Sequence, residues 1–516
     1  MRFCQKLAAS ASFVAFLFGA TFCAFAAAPF ENMLVINEDD SHFFGSRRPE
    51  QMTLEGLNAF VDQYANTAVT HLFLCPNSSR ANFTNPARDA IWEPNCEGKE
   101  STELWPQNCK LLEERGLDPY KIWIARCREK GISPWISMRM NDLHAADDPT
   151  NFMRSSFWVQ HPNFWRVPNT PSKNWFERAL NFKYPEVRKH ATDFIDVLFE
   201  RYDFDGIELD WMRFGWHLTP GKETEEGKYL TEVVAYAKNL ADKYSQTRGR
   251  KIYVAVRVPA HPDAAVGLGM DAVSWAKAGL VDLIVPCPFW STTDFDIPVE
   301  LWNERLEGTG VAVAPGAEFN VRSNPSANAK ACTLEQLYGF AAMEKARGTT
   351  NVYLFNWMDC ETLPVAQEKY RQMLKDGFSD EFLATVDREV PTTYRDTVPE
   401  GFPNGAQTPR ETSEKPTAFY IPVGSKPTAK DGSGVVVGFA DRDELDDATF
   451  DATLNGIVAE NVVDVDASAI PDAKRALFFA FPQNAFEGGK VEFLLTQKSG
   501  VAQSVVFVAA KLKGAK

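Results

Sequence analysis

Short apolar runs bounded by Gly, Pro or polar residues recur along this chain and alternate with longer stretches in which apolar positions return every three or four residues. The short runs read as strands at 33–37, 69–75, 133–139, 206–211, 252–258, 283–288, 311–315 and 352–357, and the longer ones as helices such as 54–64, 119–130, 185–201, 225–244 and 334–347. Eight strand and helix alternations in order, over roughly 350 residues, predict an α/β fold of the (β/α)8 TIM barrel type rather than an open doubly wound sheet. No Gly-x-Gly-x-x-Gly turn follows the first strand, which argues against a dinucleotide-binding domain. Beyond the eighth helix, residues 390–416 are rich in Pro, Thr and charge and read as a linker. Residues 417–516 carry short alternating runs at 419–423, 434–439, 476–481, 491–495 and 505–508, the pattern of a small β-sandwich-like accessory domain. No exposed aromatic cluster stands out there, so it is expected to brace the barrel, which itself spans 27–389.

The first 26 residues change the picture of where the chain works. Arg2 and Lys6 precede an uncharged apolar run from Leu7 to Phe25 that ends in small residues, Ala24 and Ala26 to Ala28. This is the pattern of a cleaved secretory signal peptide, so a secreted or periplasmic, bacterial protein with no membrane span after cleavage is expected. Cys23 follows Ala20-Thr21-Phe22 rather than the Leu-x-small triplet of a lipid-modified cysteine. The formal net charge is −15 and no Lys/Arg-rich run occurs, which speaks against nucleic acid as a partner. Seven cysteines remain after residue 26. Cys96 and Cys109, in one polar insertion, are the pair expected to form a disulfide, whereas Cys75 and Cys287 read as buried thiols. Neither Cys-x-x-Cys pairs nor His-Glu-x-x-His occur, so no metal site and no cofactor are expected. The pattern leaves the oligomeric state open.

In a barrel, reactive groups project from the C-terminal ends of the strands, and the loops that follow strands build the functional face. The loops 76–116 and 140–184 are long and hold Trp92, Trp105, Trp158, Trp165 and Trp175, flat rings suited either to a sugar face or to packing the loops down. On the fourth strand Glu208 and Asp210 stand two residues apart and so share the inward face. Two inward acids are costly unless used or paired, which marks Asp210 as functional and leaves Glu208 either functional or ion-paired with Arg139 or Arg257. Hydrolysis of a glycosidic bond needs a second carboxyl group. Glu318 is the first choice, alone among small apolar residues that would raise its pKa. Asp294, Asp142, Glu38, Asp39 and Asp40 are the alternatives. Other strand ends supply Asn77, Arg213, His261, Trp290, Asn356 and Trp357 as substrate-binding candidates. Arg139 and Arg257, inward among apolar neighbours, must meet acids. If they do not, they would bind sulfate or carboxylate groups of an anionic glycan.

The segment Phe204-Asp205-Gly206-Ile207-Glu208-Leu209-Asp210-Trp211-Met212-Arg213-Phe214 resembles the fourth-strand signature of bacterial (β/α)8-barrel glycoside hydrolases, in particular a glycosyl-hydrolase-like group with Phe-Asp-Gly-Ile-x-x-Asp-x-x-Arg-Tyr. It is also similar to the Asp-Gly-x-Asp-x-Asp-x-Glu of chitinases, but the chitinase acid falls on Met212 and one aspartate is replaced by Glu208. The α-amylase and α-galactosidase groups place a nucleophilic aspartate at the end of this strand, a role the resemblance implies for Asp210. A secreted glycosidase acting on a poly- or oligosaccharide is therefore expected, with Asp210 as nucleophile or base and Glu318 as proton donor. Two alternatives remain open: an inactive barrel that binds glycans, and a metal-dependent carbohydrate deacetylase using Glu38, Asp39, Asp40 and His42.

Overall fold

The computed structural model describes residues 30–358, 366–424, 430–440 and 448–515; the leader expected over residues 1–26 and Cys360 lie outside them. Strands β1 (Leu34–Glu38), β2 (His71–Leu74), β3 (Ser133–Arg139), β4 (Gly206–Asp210), β5 (Tyr253–Pro259), β6 (Leu283–Cys287) and β7 (Ala312–Val313) lie parallel and side by side in chain order. The strand Val352–Phe355 pairs with β1 on one side and with β8 (Gly316–Ala317) on the other. β7 and β8 thus stand at opposite ends of a nine-strand order, although only Ala314 and Pro315 separate them. A link that short reaches only about 11 Å. The parallel sheet therefore curls until its edges meet, as in a TIM-like domain.

The seventh strand, expected to stop at Pro315, instead changes neighbours there. Ala314 N–H still donates to Ile284 of β6 (3.0 Å), while the Pro315 carbonyl accepts from Tyr353 N–H (3.1 Å). Proline has no N–H to continue the first ladder. Gly316 is required at this crossing, since a Cβ there would lie 2.5 Å from Cys287 Sγ.

Alternate residues of each strand point into the barrel. In the upper layers Glu208 stands beside Ser137 and Ala255, and Asp210 beside Arg139 and Arg257. Lower down, Trp135 lies between Phe73 (ring centroids 4.8 Å) and Tyr253 (6.0 Å), nearly parallel to both. The glycine of the Asp-Gly pair serves this plug: a Cβ on Gly206 would lie 2.4 Å from the Trp135 indole. Asp205 accepts hydrogen bonds from Arg128 (2.8 Å) and Ser133 (3.1 Å). The first half of the fourth-strand motif is therefore structural, and only its second half reaches the mouth of the barrel.

The C-terminal residues form two antiparallel sheets. One runs Arg388–Pro391, Ser504–Leu512, Gly434–Phe439, Arg475–Ala480, Asn461–Val465; the other runs Thr417–Gly424, Gly489–Ser499, Thr449–Leu454, Ile457–Val458. Phe439 stacks on Phe450 and Phe479 meets Phe493 across them. The segment expected as a linker begins as a strand of the first sheet and is then tied to the barrel. Gln336 donates to Glu389 (2.8 Å), Thr393 Oγ1 accepts from Phe295 N–H (3.2 Å) and Thr408 donates to the Ser323 carbonyl (3.2 Å). The expected Cys96–Cys109 bridge is absent. Both thiols are free, Cys109 turned into the core from helix Leu104–Glu114 and Cys96 exposed.

Candidate active site

The loops after β3, β4 and β6, together with Asn356 and Asp396, enclose a cavity of about 750 Å³ at the C-terminal ends of the strands. Trp175, Phe214, Trp216 and Phe289 form its walls; Trp175 touches the other three at ring-centroid distances of 5.3, 5.1 and 5.9 Å. Trp290 lies at the rim with 42% of its surface exposed. Ala145, Phe214 and Asn356 line the cavity with φ of 54°, 67° and 58°. Among the described residues, Ala145 and Phe214 are the positive-φ residues that are neither glycine nor Asn or Asp. Backbone in this region is strained, and such strain collects at functional sites.

Arg213 and Asn356 belong to the cavity lining, and the predicted carboxylates lie behind it. Asp210 Oδ1 accepts from Arg257 Nε (2.8 Å) and from the Met212 and Arg213 N–H groups (both 2.9 Å). Oδ2 accepts none of these, and the residue as a whole is only 2% exposed. The Arg257 guanidinium lies 3.6 Å from the centre of the Phe355 ring, and Asp210, against burial, holds it charged. Both Glu318 oxygens accept from the Asn356 amide (3.0 and 2.9 Å). Burial pushes the Glu318 carboxyl up to about 8, against the pull of that amide and of Arg213 and Arg257. Cys287 lies close enough to feel both Glu318 and Asp210. Asp210 thus borders the cavity lining through the Arg213 backbone and Glu318 through the Asn356 amide.

Glu208 is neither at the surface of the cavity nor in the expected ion pair. Its Oε1 accepts from Ser137 (2.6 Å) and Tyr353 (2.9 Å), and burial, then Asp210, push it up to about 7. Arg139 is likewise not free for a ligand. It meets Asp39 (2.5 Å), Asp40 (2.7 Å) and Asp142 (2.9 Å). Against burial, Arg139 and Arg213 hold Asp39 well below the carboxylate range, while burial and Asp39 push Asp40 well above it. The condition for anion binding by Arg139 and Arg257 therefore fails. Arg213 Nη2 instead approaches His144 Nε2 (3.2 Å) and Asp39 (3.5 Å), and its buried Nε has no hydrogen-bond partner among the described residues. His144 lines the cavity and is held through Nδ1 by Asp142 (3.0 Å), which Arg154 also meets (3.2 Å).

Several predicted residues do not line the cavity. Asn77 is buried, its amide donating to the carbonyls of Ser78 and Arg139. His261 caps helix Pro262–Gly267 by accepting from Asp263 N–H. Asp294 pairs with Arg395 (3.4 Å) at the seam between the two parts of the chain. Trp357 is buried against Phe319 and Tyr370. Glu38 is engaged by His42 (2.5 Å), and among the described residues no group of three or more His, Cys, Asp and Glu is arranged to hold a metal ion. Of the five loop tryptophans, Trp175 lines the cavity, while Trp158 and Trp165 stack on each other at 4.6 Å and Trp105 is buried. Sequence reasoning missed His144, Phe214, Trp216, Phe289 and Asp396. Only Phe214 carried a signal, as the last residue of the fourth-strand segment, though it was given no role there.

No known protein family and no curated protein matches the sequence. Among solved structures there are distant similarities. A Paenibacillus sp. cycloisomaltooligosaccharide glucanotransferase is 9% identical, with a TM-score of 0.36 over 94% of this chain and 58% of that one. The α-galactosidase AgaA of Geobacillus stearothermophilus is 11% identical, with a TM-score of 0.37 over 94% and 56%. The PgaB (BpsB) glycoside hydrolase domain of Bordetella bronchiseptica is 11% identical, with a TM-score of 0.40 over 67% and 99%. The chain thus spans less than three fifths of the first two. Likeness at this level leaves function to the site itself.

Proposed function

We propose that this chain is an exported glycoside hydrolase on a (β/α)8 barrel with a β-sandwich-like accessory domain, acting on a poly- or oligosaccharide. The observation that carries the reading is the pair of carboxyl groups beneath the aromatic cavity. Asp210 is ion-paired with a guanidinium, whereas Glu318 is in no ion pair, takes its side-chain hydrogen bonds from the Asn356 amide, and is pushed up by burial to about 8. Two carboxyl groups set apart by environment are what acid and base roles in glycoside cleavage need. Asp210 takes the part of nucleophile or base and Glu318 that of proton donor. Trp175, Trp216 and Trp290 offer stacking faces for sugar rings. An anionic substituent, sulfate or uronate, would meet Arg213 and Lys173, the cations of the cavity lining.

One observation favours a second reading. Neither carboxylate lines the cavity, because Arg213 and Asn356 stand in front of them. A barrel that binds glycans without cleaving them fits that arrangement. Incubating the wild-type protein with neutral, uronic and sulfated polysaccharides separates the two. New reducing ends support the hydrolase, and retention of a glycan without cleavage supports the binding protein.

A further inference from the structure

The segment that leads from the barrel into the C-terminal sheets does more than connect them. Asp396, which the sequence places in a linker, lines the cavity. Its carboxylate collects three consecutive backbone N–H groups from the loop after β6: Phe289 on Oδ1 (2.8 Å), Trp290 on Oδ2 (2.9 Å) and Ser291 on Oδ2 (2.8 Å). The Thr397 hydroxyl also donates to Oδ1 (3.1 Å). Successive N–H groups turned toward one point form a nest for an anion, and charge-assisted hydrogen bonds of this kind are about twice as strong as neutral ones. The loop it fixes carries Phe289, a cavity wall, and Trp290, the exposed ring at the rim, over which Arg322 lies at 5.4 Å.

We infer that Asp396 is a positioning residue for the glycan site, holding the turn Phe289-Trp290-Ser291 so that the Trp290 ring faces a bound sugar, and that the site is incomplete without the segment after the barrel. Both clauses rest on the glycan reading of the cavity; the hydrogen-bond nest does not. Without Asp396 the turn would lose the partner of three N–H groups and keep only the Asn320 bond to the Trp290 carbonyl and the Arg322 contact to hold the ring. Binding energy would then be spent on ordering it.

Two measurements on the full chain test this. Hydrogen exchange by mass spectrometry over a peptide containing residues 289–291 is compared in wild type, Asp396→Ala and Arg395→Ala. Arg395 lies in the same segment but bonds Asp294 and Asp296. Exchange about tenfold faster in Asp396→Ala alone is expected; unchanged exchange, or the same rise in Arg395→Ala, overturns the role. Affinity electrophoresis in gels containing dextran, xylan, alginate or a sulfated fucan then compares Asp396→Ala, Trp290→Ala and the double variant. Retardation weakened about tenfold in each single variant, and no further in the double, is expected. Weakening by Trp290→Ala but not by Asp396→Ala overturns the inference and leaves the glycan site standing. Wild type unretarded in all four gels overturns both. If Asp396→Ala does not fold, Asp396→Asn keeps the shape with only one acceptor oxygen and must show the same effects in smaller measure.

Discussion

Asn356 donates its side-chain amide to both oxygens of Glu318, at 3.0 and 2.9 Å, from a left-handed backbone at φ 58°. A residue held in that conformation between a buried acid and the cavity has two effects. It shields the acid from solvent, and its amide tempers the effect of burial on the carboxyl.

Activity should follow the protonated form of Glu318. With the carboxyl pushed up to about 8, hydrolysis is expected to hold through neutral pH and fall on the alkaline side as the proton is lost. Asn356→Asp keeps the bulk over Glu318 and puts a like charge where the amide that pulls the pKa down had been, so the alkaline limb should move to higher pH. A limb that stays in place, measured on kcat/KM, would show that Glu318 is not the donor.

Stability should depend on the same buried acids. Glu318 and Glu208 have folded pKa values of about 8 and about 7 against ordinary values of 4.5. The folded chain therefore holds more protons than the unfolded chain in that window, and stability is full below about 4.5 and falls as pH rises toward 7 and 8. Urea titrations from pH 5 to 8 should show this decline, and Glu208→Gln with Glu318→Gln should flatten it. A decline of unchanged steepness in the double variant would remove these two groups as its source.

Arg257→Met should be severe. It leaves Asp210 buried without its guanidinium, and breaking a buried pair from one side costs about 3–5 kcal/mol. The double variant Arg257→Met with Asp210→Leu should recover much of the loss in a thermal melt, although not activity. Equal destabilisation by both would show that the pair does not carry the cost.

Gly206→Ala drives a methyl group to within 2.4 Å of the Trp135 indole and is expected to lower the melting temperature by several degrees. Wild-type stability in that variant would mean that the aromatic plug yields easily.

The barrel was legible because the parallel strands are buried on both faces and several read as short, mainly apolar runs, as at Leu283–Cys287. The seventh strand was read short. Pro315 is a sound stop signal for a ladder, but nothing local announces that Gly316 and Ala317 resume pairing on a different neighbour. Asp210 and Glu318 were visible as acids among apolar residues. Two of the partners of Arg139 were not, because Asp39 and Asp40 arrive from the loop after β1, whereas Asp142 stands three residues on in the chain. The cavity walls were the least legible part. Phe214, Trp216 and Phe289 look like any loop aromatics until the fold brings them to Trp175. Asp396 lay hidden for a related reason. Its hydrogen bonds run to backbone N–H groups more than a hundred residues away, and a Pro- and Thr-rich segment without periodicity gives no hint of them.

The central claim is that Asp210 acts on a glycosidic bond. The most direct test sets purified wild type beside Asp210→Asn, both shown to be folded by their melting curves, on any polysaccharide from which wild type releases reducing ends. The account predicts a loss of at least about a hundredfold in kcat for Asp210→Asn, with glycan binding retained. Equal rates in the two proteins would contradict it.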